Sequence, residues 1–119
     1  MICSGKAAIF LASSIDSVDL VGSCIWLQYA AAVLKPYVSE KTHWIVANHG
    51  IFQMYYYAHH LGGNKNARDK FKGHKYFNDT VKFCENWDQK SFDPNYKSLS
   101  LKDFEPYVKK IFSRKPYSN

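Results

Sequence analysis

The chain predicts an all-α fold of five or six short helices around one core. Three observations carry this. No segment shows a recurring strand-like alternation of apolar and polar residues. Where apolar residues do recur, as at Phe77, Val81 and Cys84, they stand three and four positions apart, which is one helix face. Residues that cap helices precede such runs, and glycine or proline follows several of them. At 119 residues, 46% of them hydrophobic and 17% aromatic, the chain suits one small domain and not a disordered one.

The elements follow in order. Residues 1–24 show no clean period. IWLQYAAAVL, 25–34, reads as an apolar helix ended by Lys35-Pro36, because a proline disfavours helix in the residue before it. Ser39 caps a second helix, with Glu40 in its first turn and either Gly50 past its end or a continuation to Gly62-Gly63. Asn64 caps a short basic helix, NARDKFKG, and Asn78 or Asp79 opens TVKFCENWDQ. FDPNY is a turn. Ser100 and Asp103 offer a capping box, and Pro106 suits the first turn of a last helix, YVKKIF.

Charge is uneven along the chain. Residues 1–34 hold Lys6 against Asp16 and Asp19, while residues 35–119 hold fifteen Lys or Arg against eight Asp or Glu. The formal charge of +6 therefore comes wholly from the second segment. RDKFKGHKYF mixes cations with Phe71, Tyr76 and Phe77. That pattern suits a single-stranded nucleic-acid surface, or a basic helix whose lysines lie over apolar neighbours; the second reading is adopted, with nucleic acid not expected as a partner. Cys3, Cys24 and Cys84 are widely spaced and form no CxxC, which fits a reducing cytoplasm. The apolar run AAIFLA is too short to span a bilayer and makes a poor signal peptide.

Four of the five histidines lie in HWIVANHGIFQMYYYAHH, 43–60. His49 stands three and four residues after Val46 and Ile45, so it points inward if they are core. An inward histidine is either a hydrogen-bonded core residue or a ligand. His59 and His60 are adjacent and diverge by about 100° on a helix. The tyrosines 55–57 cannot share a face either, so one is expected in the core and the others wet. His43 and His74 read as exposed. Asp88 continues the Phe77, Val81, Cys84 face. It is either a buried carboxylate, which needs a partner or a metal, or the solvated end of a helix with Trp87 carrying the packing. His49 and Asp88 together make half of a His/carboxylate metal set.

AAAVLKPYVSEKTHWIVANHGIFQMYYYAHHLGG, followed by FCENWDQKSFDPNY and LKDFEPYVKKIF, resembles small HD-domain proteins described as predicted HD phosphohydrolases. These are similar in architecture to phosphonate-cleaving HD oxygenases and to myo-inositol oxygenase. The resemblance implies one partial HD-type helical bundle over 1–119, with 30–112 as its family-like core and 1–29 as a degenerate N-terminal segment. It also implies one or two divalent metals, iron foremost, and hydrolysis or diiron oxygenation of a small phosphate- or phosphonate-like anion. It places His49 at a later ligand histidine and Asp88 at the final ligand aspartate. Gln53, Tyr56 and His59 become candidate substrate-binding residues.

The chain departs from the family's HDIGD-like signature. SIDSVD stands there, with Ile15 in place of the histidine and Asp16 as the third candidate metal ligand. Trp26 stands where a further histidine is expected, and the earliest one would precede Met1. Catalysis is therefore expected to be impaired. Uncovered apolar surface and self-association are expected consequences of a missing upstream helix. The alternative is a catalytically inactive helical module that binds a partner or only folds.

Overall fold

The computed structural model describes residues 20–97 and 99–117. Within them the chain is all-α: α1 (Leu20–Leu34), α2 (Glu40–Tyr57), α3 (Phe77–Phe83), α4 (Gln89–Ser91) and α5 (Leu101–Phe112). Two 3-10 segments, Ala58–Leu61 and Lys65–Phe71, and a π-helical segment, Cys84–Asp88, complete the order, with no strand among the described residues. No helix among them is long and apolar enough to cross a membrane. The chain divides into two compact units, one formed through Ala47 and from Lys97 onward, the other Asn48–Tyr96.

In the first unit α1 carries no charged residue and begins at Leu20, five positions before the expected start. Leu27, Ala31 and Leu34 repeat at helical spacing and are buried, while Tyr29 (65% exposed) and Val33 (43%) face solvent. The helix ends as its last turn hands over to Pro36, with the Tyr37 N–H donating to Leu34 O at 2.8 Å. Ser39 then caps α2: its Oγ accepts the Thr42 N–H at 3.2 Å. Gln28 Nε2 donates to Ala47 O at 3.0 Å, fixing α1 against the start of α2.

The capping box at Ser100 and Asp103 is complete, each side chain accepting the other residue's backbone N–H. Pro106, expected in a first turn, is instead the sixth residue of α5 and so sits where an N–H would bond back to Lys102. Buried Ile111 holds the helix regardless. Phe112 meets Tyr37 edge-on at 5.1 Å, Arg114 Nη1 donates to Tyr37 O at 3.1 Å, and the Tyr117 N–H donates to Pro36 O.

The second unit opens inside α2, which runs straight through Gly50 rather than ending there. A mid-helix glycine costs about 1 kcal/mol relative to alanine. Complete burial of His49 and Phe52 on either side outweighs it. The stop comes at Gly62, whose φ of 70° is a left-handed cap that disfavours any residue with a Cβ. Asn64 caps the Lys65–Phe71 segment by accepting the Asn66 N–H at 2.9 Å. Phe52 is stacked on Phe71 at 5.9 Å and tilted against Phe77 at 5.2 Å.

Neither Asn78 nor Asp79 caps α3; the helix begins earlier, at Phe77, behind Tyr76. His74 Nδ1 accepts the Tyr76 N–H at 3.2 Å, and Thr80 Oγ1 donates to Tyr76 O at 2.8 Å. His43 and His74, expected to be exposed, are half-buried. None of the three tyrosines is fully buried: Tyr55 is 37% exposed, and Tyr56 and Tyr57 are half-buried. The basic stretch lays its cations on two of its own rings and on one ring of α2. Lys70 lies 5.0 Å over Phe71, Lys75 4.8 Å over Tyr76, and Arg68 3.7 Å over Tyr55. In each case one ring face is occupied that base stacking would need.

Candidate functional site

The face that begins at Ile45 and Val46 carries His49 into the interior. Ile45 is 7% exposed, and Val46 and His49 are fully buried. The imidazole meets the Phe83 ring edge-on at 5.6 Å. The backbone oxygen of His49 accepts the Cys84 thiol at 3.7 Å. That contact brings α2 against the π-helical segment.

The segment itself decides where Asp88 points. The Gln89 N–H reaches back five residues to Cys84 O, which widens the turn. Cys84 and Asp88 both end inward, fully buried and 3% exposed, while Trp87 is 47% exposed. Of the two readings of this helix, the buried carboxylate is the one realised, and Trp87 does not carry the packing. The backbone at Asp88 is tied down by Ser91 Oγ, which donates to Asp88 O at 2.6 Å.

Burial pushes the Cys84 thiol well above its ordinary range, and the charge of Asp88 pushes it further in the same direction. The positive charge of Arg68 opposes both. Burial and the Asp88 charge therefore favour the protonated form of Cys84 at neutral pH in the metal-free chain. Tyr56 is also raised, first by burial, then by Glu85 and Cys84, again against Arg68. These mutual effects gather Tyr56, Arg68, Cys84 and Asp88 into one electrostatic neighbourhood.

Gln53 and Tyr56 follow His49 at four and seven positions and are half-buried on its side of α2. His59 stands apart. It is exposed beyond the helix, its ring 3.9 Å from that of His60. Asp16 lies outside the described residues. Two further polar groups escaped the sequence reading. Arg68 Nη1 and Gln89 Nε2 are covered from solvent with no hydrogen-bond partner among the described residues, although Gln89 Oε1 accepts the Tyr57 hydroxyl at 3.2 Å. Their only signal in the sequence was adjacency, Arg68 within a basic run and Gln89 beside Asp88.

A divalent metal of the His/carboxylate kind takes four or more donors, of which the protein usually supplies at least three. Among the described residues no three His, Cys, Asp or Glu side chains come together as a metal-binding group. His49 and Asp88 are chemically suited to such an ion but do not complete a site on their own. No family model matches this chain, and no curated protein or solved structure is detectably similar to it.

Proposed function

We propose that the chain is part of an HD-type metalloprotein, with His49 and Asp88 in two ligand positions and catalysis on a small phosphate- or phosphonate-like anion impaired. The observation that supports it is the joint burial of one imidazole and one carboxylate in a single unit, on elements joined at Cys84. Burying an ionisable pair is costly, and such pairs mark candidate functional sites. A divalent ion bound there would supply Lewis-acid activation of water, and a redox-active iron would also supply electrons to dioxygen. The chain's own part is to present the His49 nitrogen and the Asp88 oxygens from a water-poor interior, with Gln53 and Tyr56 further along the same face. Impairment follows from Ile15 and Trp26, which offer no donor where the resemblance expects histidine.

The test is metal content and metal titration of the full chain, with His49→Ala and Asp88→Asn as variants. Wild type is expected to bind one Mn²⁺ or Fe²⁺ weakly, and both variants to lose it. Equal binding by all three proteins, or none by wild type, refutes the metal reading. The second reading is an inactive helical module, and it is favoured by how fully both side chains are packed with the core. In that case the two substitutions change only the unfolding midpoint.

A further inference from the structure

We infer that Arg68, with Lys65 beside it, forms an anion site in the Asn48–Tyr96 unit that takes a tetrahedral oxyanion of the phosphate or phosphonate class. The inference rests on the reading above for the class of ligand and not on the metal. Arg68 and Lys65 converge on one ring: the guanidinium carbon lies 3.7 Å and the ammonium nitrogen 5.7 Å from the centroid of Tyr55. Stacking on an aromatic face holds a guanidinium in place and leaves its N–H edge for an acceptor. No carboxylate among the described residues takes that edge. The adjacent Asp69 is engaged by Lys72 at 3.0 Å. Arg68 Nη1 is covered from solvent with no acceptor among the described residues, a costly state for a charged donor unless a ligand oxygen meets it.

Arg68 packs on Tyr55, the residue before Tyr56, and its charge acts on both the Tyr56 hydroxyl and the Cys84 thiol. Asp88 and Glu85 contribute negative charge to the same neighbourhood, which sets a bound anion at Arg68 and Lys65 rather than at the carboxylates. The Lys65–Phe71 segment that carries both cations has no fully buried residue, so it can shift to admit a ligand at small cost.

The experiment titrates the full chain, in chloride buffer with chelator, with inorganic phosphate, methylphosphonate and acetate, followed by calorimetry or amide NMR. Phosphate or methylphosphonate is expected to saturate, and acetate to bind more weakly. Arg68→Lys keeps the charge but loses the planar fork, and is expected to weaken binding by about tenfold. Lys65→Ala is expected to weaken it less, and Lys102→Ala, on α5, to leave it unchanged; circular dichroism confirms folding of each. The inference is overturned if wild type shows no saturable binding, if acetate binds as well as phosphate, if Arg68→Lys changes nothing, or if Lys102→Ala weakens binding as much as the other two. Anion binding without metal binding keeps this inference and removes the metal reading. Metal binding without anion binding does the reverse.

Discussion

The two units bury different chemistry. The described core of the first is apolar throughout: Leu27, Ala31, Leu34, Val38, Ile45, Val46 and Ile111. The second buries Phe52 and Ala58, but also His49, Thr80, Cys84 and Asp88. A core of aliphatic side chains is stabilised by nearly every group it hides. A core that hides an imidazole and a carboxylate gives up part of that gain to desolvation. The first unit thus reads as apolar packing, and the second as packing interrupted by buried polar groups.

Substitutions matched across the units sharpen this contrast. The largest expected effect is Phe52→Ala, which removes the ring stacked on Phe71 and tilted against Phe77 and should destabilise by roughly 3–5 kcal/mol in chemical denaturation. Ile111→Ala should cost roughly 2–5 kcal/mol in the first unit. A negligible loss at Phe52 would mean that the second unit lacks a working apolar core, and the contrast would collapse into ordered against unstable.

Pro106→Ala is expected to stabilise by up to about 3 kcal/mol, since alanine restores the bond to Lys102 O inside α5. No gain would show that the helix is distorted there and that Ile111 alone sets its position. Smaller again is Ser100→Ala, at about 1 kcal/mol. The Ser100 side-chain and backbone hydrogen bonds hold the Asp103 carboxyl below its ordinary range. A depressed folded value means that this contribution is present above about pH 4 and is lost as pH falls through the folded value. The acid arm of the unfolding midpoint should therefore flatten in Ser100→Ala. An unchanged acid arm would place the effect elsewhere.

The smallest energetic effect probes the second unit's polarity most directly. Cys84 should resist iodoacetamide at pH 8 in the folded chain, as read by mass mapping of that residue, because burial and Asp88 keep it protonated. Its folded value is raised, so its contribution is complete below about pH 8.5 and declines as pH rises and the unfolded thiol ionises first. Rapid native alkylation would mean that the seam between His49 and Cys84 is open.

Residue chemistry by itself determined the local punctuation. Ser39, Asn64 and the Ser100–Asp103 pair cap helices because their side chains satisfy N–H groups within three residues, and Gly62 stops one because it alone accepts a positive φ easily. The inward face of His49 was legible from Ile45 and Val46 for the same reason: helical periodicity is local. Tertiary structure decided the rest. It carried α2 through Gly50, because burial on both sides of the glycine exceeds its helix penalty. It kept Pro106 inside α5. Above all it chose Asp88 over Trp87 for the interior, through a π-helical turn that no spacing rule contains and that packs against α2 at Cys84.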